Sequence, residues 1–398
     1  AFSMQMALVL VLGSALASSP PVKKLLVKLA SVPKKPAGAI AFIALISCIT
    51  MFINWGFGLI VSALYAKEVA KKVKGLDYRL AIAAGYSGIA VWHAGISGSI
   101  PLSTTSLTDG VVANTGGALT EVISTGRTIF APWNLIMIAI ASVVIILAMW
   151  KMHPDPEDTV VIDPALLHEE EVTLEKADTP AKHLEQSMIL TYICVVLGAV
   201  YIIYYFVTSG DILNSLTLNI VNLIFLVLGM AFHKTPIGYV NAVTDAVKGA
   251  GGIILQFPFY AGIQGMMVAT GSTGVSVASA ISNAFVSIST VRTFPVFCYL
   301  SAGIVNFFVP SGGGQWAVQG PIMVPAGMKI GVDPAVTVMG IAWGDAWTNL
   351  LQPFWALPAL GLAGLTIRDI MGYCVILLIL VGIVTALGFL FIVPLFTL

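Results

Sequence analysis

Asp345 is an ionisable side chain inside an apolar stretch of the chain, where ionisable groups are most often functional. It stands in Ile341-Ala-Trp-Gly-Asp-Ala-Trp347, one helical turn before Thr348 and Asn349. A charged side chain at membrane depth is costly, so such residues usually mark ion or substrate pathways. We therefore predict that Asp345 binds a coupling proton or helps to hold a sodium ion. The alternative is a carboxylate that caps a piece of helix or faces water.

His93 is the second ionisable candidate, and it lies in another apolar stretch. A histidine in contact with water changes its charge within the physiological pH range, so His93 is also a candidate for ion coupling. The alternative is a structural histidine that is hydrogen-bonded within the fold. The four cysteines are scattered through apolar runs without a CxxC pair or a histidine at ligand spacing, so we predict no metal site and no cofactor beyond the coupling ion.

Four short segments combine Gly, Ser or Pro with uncharged hydrogen-bonding side chains. They are Asn54-Trp-Gly-Phe-Gly58, Gly95-Ile-Ser-Gly-Ser-Ile-Pro101, Pro310-Ser-Gly-Gly-Gly-Gln315 and Thr348-Asn-Leu-Leu-Gln-Pro353. Such segments predict breaks in helices, and a helix N-terminus at a break offers backbone N–H groups and a favourable dipole to an anion. A carboxylate can bind there without a fixed cation. The alternative is that these small residues only permit close packing of transmembrane helices.

The breaks supply our candidate substrate-binding residues. These are Asn54, Gly56, Gly58, Ser97, Gly98, Ser99, Ser311, Gly312, Gly313, Gly314, Thr348, Asn349 and Gln352. Tryptophans also cluster around the breaks, at Trp55, Trp92, Trp316, Trp343, Trp347 and Trp355. They are suited to wall an acyl-chain pocket, and interfacial anchoring is an equally good account for some of them.

The composition requires a membrane to surround the elements that carry these residues. Of 398 residues, 58% are hydrophobic and 10% charged, and the mean hydropathy is +0.96. Soluble domains are roughly 45–50% apolar and 25% charged. Apolar runs near the ~20 residues needed to cross hydrocarbon recur along the chain. We therefore predict an all-α integral membrane protein, and the zero net charge gives no indication of a nucleic-acid partner.

The distribution of lysines predicts a re-entrant hairpin at about 37–65. A basic cluster precedes this apolar stretch and a second basic loop follows it, and such clusters stay on the cytoplasmic side. A segment that enters and leaves on one face must turn back within the membrane. We predict a second hairpin at about 294–325 and about eight spanning helices. The predicted spans are Met4–Ser18, Ala81–Ser106, Trp133–Trp150, Ser187–Val207, Ser215–Phe232, Ile253–Thr270, Val336–Leu362 and Ile370–Leu390.

A constant spacing indicates that the chain contains a repeat. Three residue pairs are each separated by 252 positions: Asn54 and Asn306, Ser97 and Asn349, Pro101 and Pro353. His93 lies near the place that matches Asp345. An odd number of crossings separates equivalent starts, so the repeats are expected to be inverted, with discontinuous helices that meet at the midplane.

The repeats define the expected domains. The first repeat covers 1–151, with its broken helix at about 81–106, and the second covers 187–398, with its broken helix at about 336–362. An acidic cytoplasmic linker, 152–186, joins them. The first repeat has two helices fewer than the second, and the chain opens within an apolar segment, so we expect the first repeat to be truncated at its N-terminus.

Several strings resemble the short-chain fatty acid transporter family, which includes bacterial acetoacetate and butyrate permeases. They are Phe52-Ile-Asn-Trp-Gly-Phe-Gly-Leu-Ile60, Leu255-Gln-Phe-Pro-Phe-Tyr-Ala-Gly-Ile-Gln264, Val305-Asn-Phe-Phe-Val-Pro-Ser-Gly-Gly-Gly-Gln-Trp316 and Gln352-Pro-Phe-Trp-Ala-Leu-Pro358. The resemblance extends over essentially the whole chain. It implies import of short-chain monocarboxylates across the cytoplasmic (inner) membrane, coupled to protons or sodium. It also implies a place in a wider group of ion-coupled carboxylate transporters, several of which are homodimers with a mobile transport domain.

Three alternatives remain beside this interpretation. A dicarboxylate or other organic-anion carrier is the nearest, although the absence of an intramembrane Arg or Lys favours a singly charged, partly apolar substrate. An intramembrane enzyme would need paired carboxylates, a Ser/His dyad or a metal cluster at membrane depth. Asp345 is the only well-placed acid, and the apolar stretches contain no DxxD or HExxH motif. A channel would usually have a continuous polar face or a charged ring, which the sequence also lacks.

Overall fold

The computed structural model describes residues 2–397 with several gaps. The gaps are 106–108, 164–176, 211–214, 216–217, 252–253, 256–257, 260–261, 263–264, 267–268, 271 and 273. Every regular element in the described part of the chain is a helix. The predicted all-α architecture is therefore confirmed.

The helices before the gap at 252–253 are short or of moderate length, and many begin at proline, which is preorganised for the first helical turn. They are α1 (Phe2–Ala17), α2 (Pro20–Leu29), α3 (Pro36–Ile53), α4 (Trp55–Lys72), α5 (Tyr78–Ser87), α6 (Ser99–Ser103), α7 (Asp109–Asn114), α8 (Pro132–Lys151), α9 (Pro180–Glu185), α10 (Met188–Ser209), α11 (Leu218–His233) and α12 (Pro236–Val247).

The helices after residue 273 follow the same pattern. They are α13 (Val277–Ser287), α14 (Phe294–Asn306), α15 (Gly312–Lys329), α16 (Pro334–Thr348), α17 (Pro353–Ala363), α18 (Ile367–Leu387) and α19 (Pro394–Thr397).

Helices α3 and α4 form the first helical hairpin, hairpin 1. The chain turns at Asn54, whose backbone is extended and whose side chain caps α4 by accepting the Phe57 N–H. A Cβ on Gly58 would lie only 2.6 Å from the Met51 backbone nitrogen, so Gly58 is required for the two arms to approach. The break is thus the single residue Asn54. The predicted Gly56 and Gly58 lie inside α4 because an asparagine cap alone suffices to start it.

The first broken helix consists of α5, two 3₁₀ turns (Gly88–Ala90 and Trp92–Ala94), a turn at 95–98 and α6. Hairpin 2 consists of α14, a turn at 307–311 and α15. The second broken helix is α16, the 3₁₀ turn Asn349–Leu351, an extended Gln352 and α17. The predicted breaks are therefore present in all four segments, although Gly312, Gly313 and Gly314 belong to the first turn of α15 rather than to the turn before it.

Five helices in the described residues are long and apolar enough to span a membrane. They are Pro36–Ile53, Tyr78–Ser103, Pro132–Lys151, Met188–Ser209 and Ile367–Thr397. The first of these is an arm of hairpin 1. In Tyr78–Ser103, 89% of the most apolar 18-residue stretch is buried inside the protein, whereas in Met188–Ser209 the buried share is 6%. The first broken helix is therefore central and α10 is peripheral.

The other predicted spans are shorter, interrupted or largely undescribed. Helices α1 and α11 have 16 residues each, and the predicted span Val336–Leu362 is divided by its break. The predicted span Ile253–Thr270 lies largely outside the described residues, as does the acidic middle of the linker at 164–176. The described start of the linker is held by Asp77, whose Oδ2 accepts the Val160 N–H over 2.9 Å.

Candidate functional site

The turn of hairpin 1 is bonded to the break in the first broken helix. The Trp55 N–H donates to Ser97 Oγ over 3.0 Å, and the Ile96 N–H donates to the Phe52 carbonyl over 2.8 Å. A Cβ on Gly95 would clash with that same carbonyl, so only glycine fits there. Two of the predicted breaks, around Asn54 and around Ser97, therefore form one unit.

His93 is completely buried and uses both ring nitrogens. The Ile100 backbone N–H donates to Nε2 over 3.1 Å, and Ser99 Oγ lies 3.0 Å from the same nitrogen. An imidazole nitrogen that accepts an N–H carries no proton of its own, so the proton is on Nδ1. The break at 95–98 turns the chain back so that α6 begins against the ring of His93.

Asp345 meets this ring. Its Oδ1 lies 2.7 Å from His93 Nδ1, and both side chains are buried. The Nδ1–H group therefore donates to the carboxylate. Asp345 Oδ1 also lies 3.4 Å from Asn349 Nδ2, whereas Oδ2 has no hydrogen-bond partner among the described residues. One carboxyl oxygen is thus held in place and the other is left for a proton, an ion or water.

Asn306 connects hairpin 2 to the second break. Its side-chain nitrogen donates to the Asp345 carbonyl, to Thr348 Oγ1 and to Asn349 Oδ1 over 2.8 to 2.9 Å. Gln352 Nε2 in turn donates to the Asn306 carbonyl over 2.9 Å. Hairpin 2 and the second broken helix are therefore joined by buried hydrogen bonds, as hairpin 1 and the first broken helix are.

Gly312 brings the N-terminus of α15 onto His93. A Cβ at this position would clash with the imidazole ring and lie 2.6 Å from Ser99 Oγ. Ser311 caps the helix by accepting the Gly314 N–H over 3.4 Å. Both hairpins and both broken helices therefore meet around His93 and Asp345.

The structure unites most of the predicted site residues but not all of them. The residues at this meeting point are Asn54, His93, Ser97, Gly98, Ser99, Ser311, Gly312, Asp345, Thr348, Asn349 and Gln352. Gly56 and Gly58 lie further along α4. Gly313 is exposed, and a Cβ there would meet no atom within 4 Å. Gly314 contributes its backbone N–H to the helix cap only.

Asn134 and Tyr86 are site residues that the sequence analysis missed. Asn134 Nδ2 donates to the Ala94 carbonyl beside His93, and Asn134 Oδ1 accepts the Trp343 indole N–H. Tyr86 Oη donates to the Asn349 carbonyl over 2.6 Å. An asparagine in the apolar helix α8 was the available signal, since amides at membrane depth need partners. Tyr86 gave no such signal, because tyrosine is counted among the hydrophobic residues and so does not stand out from its apolar neighbours.

Replacing Gly312 with Ala should destabilise the protein by ~1–3 kcal/mol, because overpacking against His93 and Ser99 displaces the start of α15. Gly313→Ala is the matched control, since its Cβ meets open space and Ala favours a helix by ~1 kcal/mol. Thermal unfolding of the two purified variants in detergent checks the prediction. Equal unfolding temperatures would show that the contact between α15 and His93 adds nothing to stability.

Several helices of this chain are apolar and long enough to span a membrane, and interrupted helices surround a buried polar centre. These features define a multi-pass helical membrane protein. In the described residues, no group of three or more His, Cys, Asp or Glu side chains is arranged to hold a metal ion. The four cysteines are free, and only Cys194 is exposed.

The chain belongs to the short chain fatty acid transporter family, whose model matches residues 1–392. The resemblance inferred from the sequence is thereby confirmed, and the family is one of transporters rather than enzymes. A relative in Escherichia coli K12, named "putative short-chain fatty acid transporter", is 44% identical over 98% of this chain and 86% of its own length. A relative of the same name in Haemophilus influenzae is 39% identical over 98% and 87%.

A solved structure, the YdaH transporter of Alcanivorax borkumensis, was also matched. It is 16% identical, with a TM-score of 0.49 over 99% of this chain and 86% of that protein.

Proposed function

We propose that this protein imports short-chain monocarboxylates of the acetoacetate and butyrate class across the cytoplasmic membrane, driven by a proton or sodium gradient. The family and its relatives are named for short-chain fatty acids, and the relatives match over nearly the whole chain. The substrates and the energy coupling are our inference from that resemblance, taken together with the chemistry of the site.

The contact between His93 and Asp345 carries this proposal. These residues are 252 positions apart, the same interval as the three pairs that suggest a repeat. Two residues related by a two-fold axis touch each other only if they lie beside that axis. Their 2.7 Å contact is therefore the arrangement expected of equivalent positions beside such an axis, and it supports the proposal of inverted repeats. Alternating access around a fixed central site is the function that such repeats would support.

Unpartnered oxygens at the same place favour a coupling ion. Among the described residues, Asp345 Oδ2 and Asn306 Oδ1 are buried without a hydrogen-bond partner. Buried polar atoms of this kind usually have a partner, and an oxygen can be satisfied by an added proton or by a sodium ion. Asp345 stands on the second broken helix and Asn306 on hairpin 2, and Asn306 Nδ2 donates to the Asp345 carbonyl. Either ion would therefore bind beside the contact of the two broken helices.

His93 gives a proton a route to Asp345. Ser99 is exposed, while His93 behind it is completely buried, so the Ser99 hydroxyl connects the surface to Nε2. If His93 took up a second proton on Nε2, this nitrogen could no longer accept the Ile100 N–H, and two N–H groups would face each other. Helix α6, which contains Ile100, would then have to shift. Proton loading at His93 would thus be linked to the position of a broken helix, which is the requirement for coupling.

Helix α4, one arm of hairpin 1, has the length expected of a segment that returns from mid-membrane. The apolar part of α4, from Trp55 to Ala66, spans ~18 Å at 1.5 Å per residue, against ~30 Å for a hydrocarbon core. With basic residues at both of its ends, the hairpin would enter from the cytoplasm, and the linker 152–186 would lie on that side. Assembly as a homodimer is a further part of the proposal, based on the wider group.

Uptake of radiolabelled butyrate and acetoacetate into proteoliposomes tests the function. We expect accumulation with an imposed gradient of one ion, proton or sodium, and no effect of excess succinate. Liposomes without protein are the control for diffusion of the protonated acid. Absence of uptake for both acids, or its suppression by succinate, would favour a carrier of another organic anion.

A further inference from the structure

Three tryptophans form a cluster against the site, which we call the Trp triad. Trp55 stands at the turn of hairpin 1, Trp92 precedes His93, and Trp355 follows the second break. The ring centroids of Trp55 are 6.0 Å from those of Trp92 and 5.1 Å from those of Trp355, and Trp92 and Trp355 are 5.8 Å apart. Three segments that are far apart in sequence thus contribute one aromatic surface each.

The triad is continuous with the polar centre. Trp92 stacks on the imidazole of His93 with 4.1 Å between ring centroids and 10° between planes. The backbone N–H of Trp55 is the group that donates to Ser97 Oγ. A molecule held against the triad would therefore touch both hairpin 1 and the pair formed by His93 and Asp345.

Two indole N–H groups of the triad are unsatisfied. Trp92 and Trp355 are 2% and 3% exposed, and neither Nε1 has a hydrogen-bond partner among the described residues. Trp343 and Trp347, by contrast, donate to Asn134 Oδ1 and to the Leu378 carbonyl. A third unpartnered indole, Trp316, lies in hairpin 2. Buried Trp N–H groups normally find an acceptor, so two unpartnered N–H groups in one cluster make it a candidate site for a molecule that accepts hydrogen bonds.

The ligand that fits is an acceptor with a short apolar body. An indole N–H only donates, so its partner must offer lone pairs and needs no proton. A carboxylate has about four acceptor positions, and a short acyl chain packs well on aromatic faces. Neither Trp92 nor Trp355 adds a positive charge, so the two donors suit one negative charge better than two.

We propose that the indole N–H groups of Trp92 and Trp355 bind the carboxylate of the transported acid while the faces of the Trp triad hold its acyl chain. This inference rests on the proposed function and adds the subsite that selects a monocarboxylate. It also gives hairpin 1 a role, because Trp55, at the turn of hairpin 1, packs against both Trp92 and Trp355.

Trp92→Phe and Trp355→Phe test the subsite, because each keeps an aromatic ring and removes only the N–H donor. Each variant should raise the apparent KM for butyrate uptake about tenfold, which is ~1.4 kcal/mol. Trp150→Phe is the matched control. Trp150 is exposed near the end of α8 and belongs to no part of the site, so this change should leave the KM within about twofold of wild type.

Indole resonances of ¹⁵N-tryptophan-labelled full-length protein in nanodiscs give an independent readout. Butyrate should move the Nε1–H signals of Trp92 and Trp355, assigned from the two Phe variants, whereas butanol should not. If the wild type takes up butyrate, but butyrate moves neither signal and both variants keep the wild-type KM, the subsite is wrong and the proposed function still stands. Movement of both signals by another monocarboxylate, without butyrate uptake, would support the subsite and refute the proposed substrate.

Discussion

Asp345→Asn should reduce gradient-driven butyrate uptake by roughly a hundredfold, which is ~2.7 kcal/mol, and should abolish its dependence on the driving ion. The amide keeps the shape of the carboxyl group and can still accept the His93 N–H. It can neither take up a proton nor offer a full negative charge to sodium. Asp345 Oδ2, the oxygen that has no partner in the described residues, is the atom whose chemistry changes.

Asp245→Asn is the control for this prediction. Asp245 is exposed and pairs with the nearby Lys248 at the surface, and such a pair contributes little to stability. Uptake by both variants would be measured under proton and sodium gradients, and folding would be checked by thermal unfolding in detergent. If Asp345→Asn retained uptake with the wild-type dependence on either gradient, Asp345 would have no part in coupling.

The positions of the breaks were predictable from the sequence because local chemistry determines them. Asn54 and Ser311 are capping residues, and Pro353 occupies the first position of α17, which proline favours, so each marks a helix boundary without knowledge of its neighbours. The glycines were less informative. Gly58 and Gly312 are required by a close approach of another segment, which local sequence does not record.

The contact between His93 and Asp345 was not predictable, even though both residues were identified. Hydropathy indicates which segments lie in the membrane but not which of them meet. In a bilayer, residues that face lipid and residues that face the protein core are both apolar. The central broken helix containing His93 and the peripheral helix α10 therefore look alike in sequence, although one is almost entirely buried and the other almost entirely exposed.

His93→Leu should destabilise the protein by ~3–5 kcal/mol, because it removes one partner of a buried pair and leaves the carboxyl group of Asp345 with only a long bond to Asn349. His93→Leu combined with Asp345→Leu should recover most of that stability. The comparison is a double-mutant cycle read from thermal unfolding in detergent, in which residues in contact show coupling of ~0.5–3 kcal/mol.

Exchanging the two residues adds a test of the repeat. If His93 and Asp345 are equivalent positions beside a two-fold axis, the protein with both His93→Asp and Asp345→His presents the same pair in reverse. It should unfold at a higher temperature than either single variant. His93→Asp alone would place two carboxyl groups side by side, and Asp345→His alone would place two imidazoles there. If the double variant loses as much stability as the two single variants lose together, the contact has no part in any symmetry of the fold.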